Sequence, residues 1–329
     1  MREEGSTTGD TLDATNCRDA AVIMRARPGF SAAARVAASG LVDAYNSHAL
    51  MNQVFNDRGR AVIGLMALSL HFCGGPPGLT LGRLQELCTE TGVCSRGRAA
   101  AMVALMQFAR YLAPAADVTD RRIRRLVPTE KLISAHRDRW SGLLEALSML
   151  APECTDAVSG LSDPRFLAAF LRQQLQYFRA GFRIMHQVPI LSGYVERSSG
   201  LMVLLFLLLA AGENPTSTQT PCLISISYLS RRFSVSRAQV RALLGQCERD
   251  SFIERAPDKP EQIIALPLLV ESLEMFLASV LAYLKFCARA ALDEAARKQS
   301  GFSTDGGAPG VGIQYERPLG GPASMPNQG

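Results

Sequence analysis

Histidine, lysine and tryptophan are scarce in this 329-residue chain, which has four histidines, four lysines and one tryptophan. Its eight cysteines form no CxxC pair and have no zinc-type spacing to a histidine, which excludes a zinc finger. The motifs of phosphate-binding loops, serine hydrolases, zinc proteases and dinucleotide-binding folds are also missing. We therefore expect no enzyme activity, no cofactor and no metal site.

The chain also lacks a signal peptide and a hydrophobic run of membrane-spanning length. Its first 17 residues are polar and acidic, and its most apolar run, Leu201–Ala211, has only 11 residues, whereas a spanning helix needs about 20. We expect this run to be a helix buried on all sides and the protein to be cytoplasmic. Arginine outnumbers lysine 31 to 4, which indicates a GC-rich genome and not selection for phosphate binding. We expect a bacterial source.

Both ends of the chain have the composition of disordered segments. The last 29 residues are rich in glycine and proline and cannot bury enough apolar surface to become ordered. We expect disordered tails at residues 1–27 and 300–329. Between them, we expect two domains, at residues 28–150 and 151–299.

The most informative feature is a sequence repeat. Val93-Cys94-Ser95-Arg96 begins one copy of a helix, and Ser234-Val235-Ser236-Arg237 begins the other, 141 positions later. Apolar residues then recur in register, as Ala99/Val240, Met102/Leu243, Val103/Leu244, Met106/Cys247, Tyr111/Phe252 and Leu112/Ile253. The first four pairs follow the i, i+3, i+4, i+7 spacing of one buried helix stripe.

The repeat extends over about 75 residues with two small gaps, a four-residue insertion near Thr89–Gly92 and a two-residue deletion before Pro128. A solenoid has periods of about 20 to 50 residues, so a period this long indicates duplication of a domain. We call residues 28–150 the first copy and residues 151–299 the second copy.

Each copy has the pattern of a helix, a short strand, two helices, a hairpin and a long helix, which is typical of a winged helix. The chain is therefore predicted to be mainly α, with two tandem winged helix-turn-helix domains, long flanking helices and an internal pseudo-two-fold. The expected elements include strands at Leu79–Leu81 and Leu223–Ile226, third helices at Ser95–Ala109 and Ser236–Ser251, and longer helices at Thr129–Leu150 and Pro164–Met185.

The third helix of a winged helix enters the major groove, so its exposed face is the candidate DNA-reading surface. Ser95 and Ser236 are suited to cap these helices. Opposite the apolar stripes, the first helix presents Gly97, Arg98, Ala101 and Ala104, and the second presents Ala238, Gln239, Ala242 and Gly245, with Arg241 to one side. Small residues permit close approach, while arginine and glutamine donate bidentate hydrogen bonds to bases. The alternative is an ordinary solvated helix surface.

The segment from Asp120 to Lys131, with the sequence DRRIRRLVPTEK, resembles the wing of MarR-type transcriptional regulators, and Leu79–Leu112 is similar to their helix-turn-helix. The resemblance implies DNA binding through helix and wing, with dimerisation through terminal helices. It implies wing-tip minor-groove or phosphate contacts from Arg121 and Arg122, oriented by Asp120. Two positions depart from the family pattern, since Pro128 replaces a usual leucine and Leu132 a usual glycine.

The second copy has no such wing. Residues 257–261 are short and nearly neutral, and its basic residues lie on or before the third helix instead, at Arg231, Arg232, Arg237 and Arg241. Residues 28–142 carry 14 basic against 8 acidic residues, while residues 198–299 carry 11 against 10. The positive charge that suits a polyanionic partner is therefore concentrated in the first copy.

These patterns predict a sequence-specific regulator of transcription that binds double-stranded DNA through both winged helices. The expected DNA-binding residues are Ser95, Arg96, Arg98, Asp120, Arg121, Arg122, Arg124, Arg125, Arg231, Arg232, Ser236, Arg237, Gln239 and Arg241. Two alternatives stay open, a replication-initiator-like protein and a winged-helix scaffold that binds other proteins.

The sequence does not decide between a homodimer and a monomer that works as a pseudo-dimer. A small-molecule effector is a further open partner, because regulators similar to this chain often bind one between their terminal helices and their DNA-binding core. Trp140 and Tyr177 lie on the flanking helices where such a pocket would form, although core packing is the simpler role for both. No membrane partner is expected.

Overall fold

The computed structural model describes residues 14–47, 58–116, 124–197, 199–211, 222–256 and 258–301. The protein is mainly helical, as the sequence predicts. The N-terminal helix and the first copy comprise α1 (Ala14–Arg25), α2 (Phe30–Ser47), α3 (Arg58–Cys73), α4 (Leu81–Glu90), α5 (Arg96–Phe108), β1 (Leu112–Pro114), β2 (Leu126–Pro128) and α6 (Glu130–Leu150).

The second copy repeats this order after a short helix. It comprises α7 (Asp156–Gly160), α8 (Pro164–Arg179), α9 (Ser192–Val195), α10 (Gly200–Ala210), β3 (Cys222–Leu223), α11 (Ile226–Arg232), α12 (Arg237–Arg249), β4 (Ile253–Ala256), β5 (Lys259–Ala265) and α13 (Pro267–Gly301). Single 3₁₀ turns lie at Pro152–Cys154, Ile184–His186 and Pro189–Leu191.

Each copy contains a small antiparallel sheet. In the second copy the strand order is β3-β5-β4, with Cys222 opposite Ile263 and Ile253 opposite Ala265. In the first copy β1 pairs with β2, and the strand expected at Leu79–Leu81 is reduced to one bridge between Thr80 and Arg125. The two sheets therefore share a topology, although the first has one strand fewer.

The matching elements also agree in local backbone geometry. Arg110 and Ser251, 141 positions apart, both adopt positive φ, at 59° and 55°, where the third helix turns into the next strand. Left-handed backbone is uncommon outside glycine, so its recurrence at matched positions supports the predicted repeat. The insertion near Thr89 corresponds to three more residues in α4 than in α11 and one more in the turn that follows.

Helices of the two copies pack against each other across one shared core. α2 of the first copy packs on α10 of the second, and α8 of the second packs on α3 of the first. Each also packs on the long helix of its own copy, α2 on α6 and α8 on α13, and the two long helices contact each other. Buried residues from both copies form a single hydrophobic cluster, so the copies are not separately packed domains.

A glycine pair permits the close crossing of α2 and α6. A Cβ atom placed on Gly40 would lie 2.8 Å from the Cα atom of Gly142, and one on Gly142 would lie 2.8 Å from the Cα atom of Gly40. Neither position can hold a side chain unless the helices move apart.

The expectation of a disordered tail over residues 1–27 is wrong for residues 14–25, which form α1. This helix packs on α13 through Cys17, Ala21 and Met24, all buried at the i, i+4, i+7 spacing, and Arg25 forms an ion pair of 2.8 Å with Glu274. The tail expected at residues 300–329 lies outside the described residues from 302 onward.

Two further helices, α8 and α10, differ from their predicted descriptions. The helix expected at Pro164–Met185 ends at Arg179, because Gly181 adopts a φ of 88° that stops it. The apolar run from Leu201 is a helix, as predicted, and Leu204, Leu205 and Leu207 are fully buried. It is not buried on all sides, since Leu201 and Met202 keep partial exposure.

α13 is the longest helix. By length and composition it is long enough and apolar enough to cross a membrane. Among the described residues, the helices Pro189–Val195 and Gly200–Ala210 also meet this criterion if they are taken together as one sharply bent span. In α13, 67% of the most apolar window is buried inside the protein.

Candidate nucleic-acid interface

The third helices, α5 and α12, bury the stripes that the sequence predicts. The four stripe residues of each helix are buried, namely Ala99, Met102, Val103 and Met106 in α5 and Val240, Leu243, Leu244 and Cys247 in α12. On the opposite faces the small residues are exposed, apart from Gly245, which is half-buried. Both helices therefore present to solvent a face of small side chains that another molecule can approach closely.

Serine caps the start of each third helix, as predicted. The Ser95 hydroxyl accepts a hydrogen bond of 3.3 Å from the Arg98 backbone N–H. The Ser236 hydroxyl accepts one of 3.1 Å from the Gln239 N–H, and the Gln239 side-chain oxygen accepts one of 2.8 Å from the Ser236 N–H. Because this capping box occupies the Gln239 oxygen, Gln239 could read a base only by giving up that bond.

Arginines surround the starts of both helices and are mostly exposed. In the part of the chain that the structure describes, no carboxylate lies within ion-pair distance of the exposed residues Arg96, Arg124, Arg231, Arg237 and Arg241. Arg98 is also exposed. Positive charge without internal neutralisation is what a phosphate backbone attracts.

Arg232, unlike its neighbour Arg231, is bound by the protein itself. Its guanidinium lies 5.0 Å from the ring centre of Phe206, donates a hydrogen bond of 3.2 Å to the Tyr228 hydroxyl and approaches Asp43 at 3.9 Å. Asp43 belongs to α2 of the first copy, so Arg232 helps to join the copies. A DNA contact from Arg232 would need this arrangement to open.

The first hairpin carries the segment that resembles a MarR-type wing. Asp120, Arg121 and Arg122 lie outside the described residues, so the structure gives no account of the wing tip. Arg124 is exposed at the start of the returning strand, whereas Arg125 is half-buried close to Gly78. Of the two, Arg124 has the placement expected for a phosphate contact.

The positive charge of Arg125 affects the titration of His71. Burial lowers the pKa of the His71 imidazole, and the positive charge of Arg125 lowers it further, because both disfavour a second cation at that place. His71 belongs to α3, so the base of the hairpin is electrostatically linked to the helix beneath it.

The second hairpin is shorter, and its arginine is neutralised. Arg255 Nε donates a hydrogen bond of 2.7 Å to Glu248 Oε1, and a second bond joins Arg255 Nη2 to Glu248 Oε2. This bidentate pair lowers the pKa of Glu248 and raises that of Arg255, as a charge-assisted pair should. The sequence predicted a nearly neutral second wing, and this pair adds a physical reason.

Sequence reasoning missed Arg110 as a candidate contact. It is exposed at the left-handed position between α5 and β1, beside the first hairpin. Its position directly after the predicted third helix and before the predicted basic segment could have identified it. Lys131, by contrast, points inward, since its ammonium donates a hydrogen bond of 3.0 Å to the Ala109 carbonyl and lies over the Tyr111 ring.

Within the described ranges, no group of three or more histidine, cysteine, aspartate or glutamate side chains is arranged to hold a metal ion. Comparison with protein-family models, with curated proteins and with solved structures finds no match to this chain.

Proposed function

We propose that this chain is a sequence-specific regulator of transcription that binds double-stranded DNA through two winged-helix heads, one in each copy. The observation that carries the proposal is the paired surface of α5 and α12. Each helix buries one stripe, is capped by serine, and presents small residues beside exposed arginines, of which Arg96, Arg237 and Arg241 have no described carboxylate within ion-pair distance. Such a face permits close approach to a major groove and supplies donors for phosphates and bases.

The packing of helices between the copies supports an internal pseudo-dimer. Contacts of α2 with α10 and of α8 with α3 are reciprocal, as in an isologous interface, where both partners use the same patch. In a dimer of winged helices such an interface fixes the distance between the two reading helices. One chain with this core would hold its two heads in the same way.

The two heads differ, so the proposed binding site is asymmetric. The first head carries the basic hairpin, and the second pairs its hairpin arginine with Glu248. One half-site would be contacted by helix and wing, the other mainly by the helix. A strictly palindromic footprint, bound by two chains through their first copies alone, would contradict this.

Fluorescence anisotropy at low salt tests DNA binding directly. The full chain should bind random duplex DNA weakly, and the logarithm of its affinity should fall linearly with that of salt. Replacing Arg96 and Arg98 by alanine should weaken binding to all sequences and reduce the slope by about 2, since each lost phosphate contact changes it by about 0.9. The Arg237→Ala, Arg241→Ala pair should behave similarly.

A matched control is available on the exposed surface of α1 and α13. Arg18→Ala with Arg289→Ala removes the same charge from positions that are exposed but belong to neither head. This variant should keep the original slope. An equal loss of DNA affinity in the control and test variants would show that only net charge matters, and it would reject the assignment of α5 and α12 as the DNA-binding helices.

A protein-binding scaffold is the second candidate, and an exposed aromatic residue favours it. Phe108, at the end of α5, is 87% exposed, and Leu105 one turn earlier is 37% exposed. Exposed apolar residues in a group mark protein-binding surfaces. A scaffold would show no salt-dependent binding to random DNA, and Phe108→Ser would abolish capture of its protein partner.

A further inference from the structure

A cavity of about 350 Å³ lies where the two copies meet. Helices α2, α3 and α6 of the first copy line it together with α8, α10 and α13 of the second. Its wall is predominantly apolar and includes the aromatic rings of Phe178, Phe182 and Phe276. A cavity of this size and character is typical of small-molecule sites.

One charged side chain in the wall has nothing to neutralise it. Arg139 of α6 lines the cavity, and no hydrogen-bond acceptor or carboxylate of the described residues pairs with its guanidinium. Burial lowers the pKa of Arg139, so the site disfavours the cation. Arg139 is half-buried, and an unpaired charge that is partly removed from water is stabilised when an anion binds to it.

A second donor in the same wall also lacks a partner. Gln174 of α8 is 4% exposed and lines the cavity, and its side-chain nitrogen has no hydrogen-bond acceptor among the described residues. Buried polar atoms are normally paired. An unpaired guanidinium and an unsatisfied amide nitrogen that line one cavity indicate a ligand with acceptor atoms.

Of the other polar side chains of the wall, Arg197 is exposed to solvent, and the following are already bound. Arg183 donates to the carbonyl oxygens of Phe182 and Thr91, and the Tyr45 hydroxyl is paired with that of Ser199. Among the lining groups that are buried or half-buried, Arg139 and Gln174 thus remain for recognition, and both are donors only at the atoms concerned.

We propose that this cavity binds an amphipathic organic anion, whose apolar body fills the aromatic wall while its carboxylate accepts hydrogen bonds from Arg139 and Gln174. Because the lining comes from both copies, an occupant would alter how the two heads are held. This regulatory consequence, unlike the binding itself, rests on the proposed function.

Isothermal titration calorimetry with matched probes tests the binding. 2-Naphthoate and decanoate are compared with 2-naphthamide and decanamide, which keep the apolar body and lose the charge. At least one carboxylate should bind at one site per chain and about 10-fold more tightly than its amide, as expected for a charge-assisted hydrogen bond. Arg139→Met should abolish that preference, and Gln174→Leu should reduce it.

Arg289→Met is the control, since Arg289 is exposed on α13 and lies outside the cavity. It should leave both affinities unchanged. Equal binding of acid and amide, equal loss in the control, or no saturable binding of either carboxylate would overturn the proposal.

Thermal unfolding without any ligand provides a check that does not depend on the choice of probe. Arg139→Met should raise the melting temperature of the empty protein, because it removes an unpaired charge from a half-buried, predominantly apolar wall. A lower melting temperature would show that Arg139 has a structural partner and would overturn the proposal. DNA anisotropy with and without 2-naphthoate is measured separately, so that failure of DNA binding does not affect the result for the cavity.

Discussion

The crossing of α2 and α6 makes a quantitative prediction about Gly40. In Gly40→Ala the new Cβ atom would lie 2.8 Å from the Cα atom of Gly142. Carbon atoms in contact normally lie about 3.5–4.0 Å apart, so the helices must separate by about 1 Å, which weakens the contacts between their buried faces.

The cost follows from two opposing terms. Overpacking of a core costs about 1–3 kcal/mol, and the upper end applies here because the obstacle is backbone rather than a flexible side chain. Replacing glycine by alanine inside a helix returns about 1 kcal/mol. We therefore expect Gly40→Ala to lower the free energy of unfolding by about 2 kcal/mol.

Urea unfolding measures this change. Trp140 is buried on α6, two residues before Gly142, and its fluorescence reports the crossing, while circular dichroism reports the whole molecule. Gly82→Ala is the control, since a Cβ atom there would meet nothing within 4 Å. If Gly40→Ala were as stable as Gly82→Ala, the close crossing would be refuted.

Three further predictions concern single side chains. Ser236→Ala removes the capping box of α12 and should cost about 1 kcal/mol in urea unfolding; an unchanged midpoint would argue against the cap. Cys88 is fully buried, and burial raises the pKa of its thiol to about 12, so at pH 8 iodoacetamide should alkylate it in the native protein much more slowly than the half-buried Cys94. Mass spectrometry of the labelled peptides measures both rates, and equal rates would argue against the burial of Cys88. The Tyr194 hydroxyl donates a hydrogen bond of 2.6 Å to Asp250 and lowers the pKa of that carboxyl. This hydrogen bond stabilises the fold above the ordinary aspartate pKa, and the stabilisation is lost as the pH falls through the lowered pKa. Tyr194→Phe should therefore destabilise the protein more at pH 7 than at about pH 2, and an equal loss at both would show that the carboxylate is not involved.

Local patterns predicted the parts of the fold that depend on neighbours in the chain. The i, i+3, i+4, i+7 stripes gave the buried faces of α5 and α12, and Ser95 and Ser236 gave their first residues to within one position. These succeed because side-chain periodicity and capping are decided within one or two helical turns.

Two errors came from overlooking equally local signals. Cys17, Ala21 and Met24 form a helical stripe in a segment whose average composition is polar, so composition hid α1. Gly181 stops α8 two residues after its last helical residue, a position where glycine commonly ends helices.

Other features depend on contacts between distant parts of the chain. Arg231 and Arg232 are indistinguishable in sequence, yet one is exposed and the other is bound to Phe206 and Tyr228. Arg139 and Gln174 lie on helices of different copies, so no spacing could relate them. The packing of helices between the copies has the same origin, because an apolar stripe shows which face is buried but not what covers it.

On the proposed duplication, each copy in the single chain can change independently of the other. In a dimer of identical chains every substitution appears twice, so a change that suits one head alters the other as well. Here the close crossing of Gly40 with Gly142 has no counterpart where α8 packs on α13, since α8 contains no glycine. The second copy could likewise pair Arg255 with Glu248 while the first kept an unneutralised Arg124. If the heads bind DNA, this independence predicts that reversing one half-site will weaken binding even when its sequence is otherwise unchanged, because each head is committed to its own half.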